Sequence, residues 1–366
     1  MIEAVLTCET GSYTLARPGV SEKAPLQPWD AADSYLISQA SQLPNGKSVA
    51  IVNDQFGALA TALSKYNTTL ISDSACAREA TKINLEKNHI PSHNIQFFST
   101  TEAWTWKHTP SIALVKLPRN LSFLQFELTR CWENGIKECW VAGMMKHLPK
   151  NLLAFLQNFG DVSRLPFVKK ATIFKVTLKH APKPEYPKAI TIEGLKCLAH
   201  ANVFGRDKID PGAALFLQSL PHLGPKADVA DLCCGTGILG LKYLEMHPSA
   251  NVEFFDESLM AIESTKESAK LNGLKIGRAE AMDGLSNSNR QYDLILCNPP
   301  FHEQNTVGDH IAKRLFKQAK HALRNKGSFI MVGNRHLNYH VTLKKYFRHC
   351  RQLNTNAKFV VFECHD

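Results

Sequence analysis

The chain has 366 residues, 44% hydrophobic and 21% charged; the length suggests about two domains and the composition excludes a mainly disordered chain. No run of about 18 uncharged apolar residues occurs, so no transmembrane helix is expected, and Met1-Ile2-Glu3-Ala4 lacks the basic end and apolar stretch of a secretory signal. A formal net charge of +10 makes a polyanionic partner plausible, while ten cysteines without a C-x-x-C pair argue against a zinc ribbon and fit reduced thiols in a cytosol; a monomer without a metal is expected.

In chain order, the first half opens its pattern with Val49-Ala50-Ile51-Val52, a buried strand running through Asn53-Asp54-Gln55-Phe56 to Gly57. Thr69-Leu70-Ile71-Ser72-Asp73 and Ile112-Ala113-Leu114-Val115-Lys116-Leu117-Pro118 read as further strands. Three prolines then fall within Ala181 to Lys188. Proline lacks an amide donor and disfavours helix in the residue before it, so this stretch reads as an extended linker. Domains are expected at 1–180 and 189–366, joined by 181–188.

The second half alternates more clearly. Strands are expected at Ala227–Leu232, Asn251–Phe255, Tyr292–Cys297 and Gly327–Val332, with helices at Ile238–Glu245, Ser258–Leu271 and Ile311–Leu323. Strands alternating with helices of this length imply parallel pairing in a doubly wound α/β sheet. The three front strands line up with three of these about 180 residues later, which suggests a duplication. On that alignment Gly235-Thr236-Gly237 becomes Gly57-Ala58-Leu59. Asn298-Pro299-Pro300-Phe301 becomes Leu117-Pro118-Arg119-Asn120, so the front copy has kept a fold and lost a site.

Gly235-x-Gly237-x-x-Gly240 follows a strand, opens a helix and is followed by Asp256 at the next strand end. That spacing suits any adenosine-containing cofactor. Charge separates the candidates. A nicotinamide dinucleotide brings a pyrophosphate, which Asp231 beside the turn would repel. S-adenosyl-L-methionine has no phosphate and carries a sulfonium and an ammonium, which Asp231 would attract. Asp256 and Glu257 are then placed for the ribose hydroxyls, and Asp283, followed by Gly284, for the adenine amino group.

Asn298-Pro299-Pro300-Phe301 follows a strand at the sheet edge where such folds bind ligands. Two prolines remove two amide donors and leave carbonyl acceptors. The Asn298 side-chain oxygen and the Pro299 carbonyl can each take one hydrogen of a planar NH2 group. Holding both hydrogens out of plane localises the nitrogen lone pair toward the methyl donor. Phe301 can stack on the base carrying that amine.

The Asp231 to Gly237 turn with Asn298-Pro299-Pro300-Phe301-His302 resembles the class I amino-methyltransferases. The His302 position, the stretch Phe204-Gly205-Arg206-Asp207-Lys208-Ile209-Asp210-Pro211-Gly212 and the degenerate front copy resemble the ribosomal RNA guanine-N2 methyltransferases. The tail from Gly333 to Tyr339 and from Thr355 to Val361 is most similar to their large-subunit members, with the small-subunit members as the alternative. The resemblance implies two tandem Rossmann-like, class I methyltransferase-like domains, the N-terminal one degenerate. It makes Asn298, Pro299, Pro300 and Phe301 the amine-holding group. Asp231, Cys233, Gly235, Gly237, Asp256, Glu257, Asp283 and Gly284 become the cofactor contacts. The Phe204 to Gly212 stretch would cover the cofactor or shape the substrate entrance. Cys233 stands where the family turn commonly has glycine, a substitution a negative φ would tolerate.

Charge placement points to ribosomal RNA. From His310 through Phe362 there are twelve Lys or Arg and no Asp or Glu. Lys313, Arg314, Lys317, Lys320 and Arg324 are expected on one side of a helix, with Arg335, Lys344 and Lys345 beyond. Residues 139–184 hold eight basic residues against Asp161 alone, including Lys146, Lys169 and Lys170. Such stretches are the footprint of a phosphate backbone. They disfavour a protein glutamine as the acceptor, but leave adenine N6 open, because the asparagine grip suits any planar amine.

Overall fold

The computed structural model describes residues 2–19, 26–222, 226–286, 288–300 and 310–366. The chain divides into a front unit, Met1–Tyr186, and a back unit, Pro187–Asp366. Each is built on one seven-stranded sheet of the same order.

In the front unit the order across the sheet is Gln96–Phe98, Asn67–Ile71, Ser48–Val52, Ile112–Lys116, Glu138–Met144, Ala171–Leu178 and Gly160–Arg164. In the back unit it is Ala279–Ala281, Asn251–Asp256, Asp228–Leu232, Tyr292–Cys297, Leu323–Asn334, Phe359–His365 and His349–Thr355. The first five strands of each sheet are parallel, as the alternating pattern predicts. The last two join by antiparallel pairing, which that pattern did not anticipate. The three-residue link from Thr355 to Phe359 is far too short for a parallel crossover, so the chain has to turn back. The central strands are apolar on both faces because helices cover both; Val49 to Val52 and Leu294 to Cys297 are wholly buried.

Register refines the correspondence between the halves. Val52 pairs with Ile71 and Val115, and Leu232 pairs with Phe255 and Cys297. Lys116 therefore stands where Asn298 stands, and Pro118 where Pro300 does. Gly57 and Gly237, each with φ +80°, open the following helices, so Gly57 matches Gly237 rather than Gly235.

Two further hairpins, Ile2–Cys8 with Gly11–Arg17 and Lys188–Ile192 with Leu195–Ala199, carry the repeat beyond the strands expected from sequence. Lys188, expected at the end of the linker, thus opens a strand. Both hairpins dock on a helix of 13 residues capped by serine, Ala75–Lys87 after Ser74 and Leu259–Leu271 after Ser258. Asn88 grips the Thr14 backbone with both ends of its amide, at 2.9 Å each; Asn272 does the same to Lys196, at 3.0 and 2.8 Å. The helix His310–Ala322 turns Ala312, Leu315, Phe316, Ala319 and Ala322 inward at helical spacing, into one core cluster with Ile295, Cys297 and Phe329 of the sheet.

Candidate active site

The strand Asp228–Leu232 sits mid-sheet and delivers the chain into a turn with three left-handed residues in five. Cys233 has φ +57°, Gly235 +57° and Gly237 +80°. The negative φ expected for Cys233 is thus not adopted. The front copy does the same with Asn53, at +64°, so the geometry belongs to the strand exit and the residue has to follow it. Gly237 is required by packing as well, since a Cβ there would meet Thr265 Cγ2 at 2.8 Å.

Asp231 is wholly buried at the end of this strand. Its Oδ2 accepts the Gly240 amide at 2.8 Å, while Oδ1 has no hydrogen-bond partner among the described residues. Burial raises the carboxyl to about 7, against the Gly240 hydrogen bond and with a contribution from the Asp256 charge. A buried carboxylate oxygen without a donor is costly unless something positive meets it. The donor set therefore fits a cationic ligand such as S-adenosyl-L-methionine and opposes a pyrophosphate.

Asp256 ties the turn to the next strand. One carboxylate oxygen accepts Gly235 N–H at 3.0 Å and the other Ser258 N–H at 2.9 Å. Glu257 beside it is exposed. The Asp256 carbonyl accepts Met282 N–H at 2.8 Å, which brings the Asp283 loop alongside. Asp283 lies two residues past the edge strand Ala279–Ala281, and Gly284 follows it with φ +56°.

Asn298 leaves the sheet directly after Cys297, the residue paired with Leu232. Its Oδ1 is buried with no hydrogen-bond partner among the described residues. Pro299 is buried and Pro300 exposed. Phe301 and His302 lie outside the described residues. The Phe204 carbonyl lies near Gly235, 3.7 Å from where a Cβ would stand, and the Phe204 ring is exposed. Asp210 caps the helix Pro211–Leu217 through Ala213 N–H.

The basic residues divide into two groups. Arg314 turns to Asp283 rather than lying open for RNA, at 3.1 Å from Nε and 2.9 Å from Nη2. Lys320 pairs with Asp366, Arg324 with Asp228 and Asp293, and Arg351 with Glu363. The expected single helical face is also corrected, because the helix ends at Ala322 and Arg324 lies in the strand that follows. The stretch is free of acids in sequence, but the fold brings acids to it from elsewhere in the chain. Lys317, Arg335, Lys344 and Lys345 are exposed and Lys313 is half-buried. In the front unit Lys169 and Lys170 form the tip of a two-residue hairpin turn, with φ +47° and +64°. Glycine and asparagine are the usual occupants of such a turn. Met145 N–H donates to the Lys170 carbonyl at 2.8 Å, which sets exposed Lys146 beside the tip. Phe167 is exposed there under the Arg164 guanidinium.

The sequence reading missed the role of Arg314 and Gln318 against the Asp283 loop. Their spacing of four on one helix was the available signal.

Residues 194–363 match the family model "Methyltransferase small domain", and residues 3–180 match "RLMG N-terminal domain". Proteins named ribosomal RNA large subunit methyltransferase G are similar over nearly the whole chain. The one from Stutzerimonas stutzeri is 38% identical, covering 98% of both chains. That from Pseudoalteromonas translucida is 36% identical, covering 96% of this chain and 95% of its own. Among solved structures, the Thermus thermophilus 16S rRNA N2 G1207 methyltransferase RsmC, in complex with AdoMet and guanosine, superposes with a TM-score of 0.77 at 20% identity. That match covers 100% of this chain and 98% of the other, and supports the fold.

Proposed function

The chain belongs to the ribosomal RNA large subunit methyltransferase G family, and on that premise we propose that it methylates the exocyclic N2 amine of a guanine in large-subunit ribosomal RNA. The observation that carries this reading is a pair of buried side-chain oxygens without hydrogen-bond partners among the described residues, Asp231 Oδ1 and Asn298 Oδ1, at the ends of two adjacent strands. One belongs to a carboxyl and suits a cation. The other is neutral and suits an N–H donor.

S-adenosyl-L-methionine, when bound, supplies an electrophilic methyl group on a positively charged sulfur. The chain does the rest by placement. Asp231 draws the cationic end of the cofactor to the turn, and Asp256, Glu257 and Asp283 line the ribose and adenine side. Asn298 Oδ1 and the Pro299 carbonyl accept the two amine hydrogens and turn the nitrogen lone pair out of the base plane. Held so, the nitrogen would take the methyl carbon while the sulfur keeps the electron pair of the broken carbon–sulfur bond, and the surplus N–H proton would pass to water. No strong base is needed, because the nitrogen is positively charged and strongly acidic until that proton leaves. Preorganised acceptors of this kind contribute about a hundredfold to a thousandfold in rate.

The RNA is held through phosphates by cations at the surface. Lys146, Lys169 and Lys170 form the anchor on the front unit, and Lys313, Lys317, Arg335, Lys344 and Lys345 serve the same end on the back unit. Phe167 is available for stacking on an unpaired base.

The test is labelled-methyl transfer to total ribosomal RNA from cells lacking the protein, with nucleoside analysis. N2-methylguanosine in large-subunit RNA is expected. Asn298→Ala should lower kcat about a hundredfold to a thousandfold while cofactor affinity stays the same. Full activity in that variant, or N6-methyladenosine as product, overturns the reading, and label in small-subunit RNA alone moves the substrate.

A further inference from the structure

The edge strand Ala279–Ala281 has only three residues and pairs on one side alone. It is too slight to orient the loop that follows. That loop is set instead by the helix His310–Ala322. Arg314 donates to Asp283 Oδ1 from both Nε and Nη2. One turn later, Gln318 Nε2 donates to the Asp283 carbonyl at 3.2 Å, and Gln318 Oε1 accepts Leu285 N–H at 3.1 Å. Between these bonds Gly284 is pressed against the helix, where a Cβ would meet Leu315 Cδ2 at 2.7 Å. Two side chains four apart thus fix the carboxylate and the backbone on either side of it. Nothing among the described residues donates to Asp283 Oδ2, so that oxygen is left for a ligand while Arg314 holds the carboxylate through Oδ1.

We propose that Arg314 and Gln318 are positioning residues that aim Asp283 at the 6-amino group of the cofactor purine, so that this clamp makes the site select adenosyl over inosyl ligands. The inference rests on the cofactor reading above and adds the origin of its base specificity. An inosine ring presents a carbonyl at the same place. The carboxylate oxygen would face that carbonyl with no proton between them, and the mismatch is penalised only while Asp283 cannot swing away. A carboxylate accepts hydrogen bonds and does not donate them, which makes a fixed Asp283 a discriminator of donor from acceptor.

The experiment measures calorimetric dissociation constants of S-adenosylhomocysteine and S-inosylhomocysteine for the full chain and for Asp283→Asn, Arg314→Gln and Gln318→Ala. The native protein should prefer the adenosyl ligand by about tenfold or more. Asp283→Asn should abolish that preference, and each clamp variant should reduce it several-fold, by tightening inosyl binding as Asp283 swings away and by weakening adenosyl binding. A merely structural lesion would weaken both ligands equally, and that result overturns the proposal. Should Arg314→Gln fail to fold, Gln318→Ala, which removes no charge, decides the matter. If Gln318→Ala keeps the native preference, the clamp is wrong and the cofactor reading stands. If the native protein binds neither ligand, the cofactor reading falls and takes the clamp with it.

Discussion

At the mouth of the back sheet, the Asp231 carboxylate and the Asn298 amide each keep a buried oxygen without a donor among the described residues. At the same place in the front sheet the chain supplies its own cation. Lys116, at the position of Asn298, is buried and bonds to Asp30 at 2.7 Å and Asp33 at 2.8 Å. Burial works against its charge, but the two carboxylates outweigh it, so its pKa rises. Asp54 closes the neighbouring helix start, accepting the amides of Gly57, Ala58 and Ala60 at 2.9 to 3.1 Å. The Ala60 amide thereby donates to Asp54 as the Gly240 amide donates to Asp231. At this strand end the front copy pairs its buried charge with its own aspartates, whereas the back copy leaves two side-chain oxygens without a donor among the described residues.

The hardest strain on this comparison is Lys116→Met. Removing one partner of a buried ion pair leaves an uncompensated charge and costs about 3–5 kcal/mol. All five tryptophans lie between Trp29 and Trp140, so tryptophan fluorescence during chemical unfolding reports the front unit alone. A loss under about 1 kcal/mol would mean that the lysine fills space rather than replacing a ligand's charge.

Next in size is Asp231→Asn, which should weaken S-adenosyl-L-methionine binding about tenfold. The native carboxyl titrates at about 7. Below that pH it is neutral and a cationic ligand must expel a proton, so affinity should rise as pH climbs through about 7. The asparagine variant should be flat across the same range. Stability of the ligand-free protein should move the opposite way. Because the folded carboxyl is raised, its contribution is fully present below the ordinary carboxylate pKa and is lost as pH rises through about 7. Affinity that falls with rising pH would remove Asp231 from the cofactor.

Lys169→Glu with Lys170→Glu tests whether the front copy serves RNA. The salt slope for RNA binding should drop by about 0.7–0.9 for each phosphate the variant no longer neutralises, with kcat at saturating RNA unchanged. An unmoved slope would leave the front unit without this anchor. The smallest effect sharpens the turn. Cys233→Gly should stabilise the back unit by about 1 kcal/mol by relieving a left-handed side chain. Asn53→Gly at the matching place should gain less, since asparagine tolerates that region.

Much of this was legible in the linear order of residues. Strand and helix periodicity, the D-x-x-x-G-x-G turn and the Asn-Pro-Pro run are local signals, and local signals survive in sequence because hydrophobic period and backbone restriction act over a few residues. The closing antiparallel strands, the docked hairpins and the true match of Lys116 with Asn298 were not legible. Each depends on register between strands far apart in the chain. The acid-free basic stretch misled for the same reason, since Asp228, Asp283 and Asp293 reach it only through folding.

The amino-acid order alone thus determined a doubly wound α/β architecture, a repeat, and a glycine turn followed by an Asn-Pro-Pro run. Tertiary structure alone decided which charges meet. Coulombic and hydrogen-bond partners are selected by distance and burial in space, so only the folded chain could turn Arg314 onto Asp283, lock Lys116 between two aspartates and bury an Asp231 oxygen without a donor among the described residues.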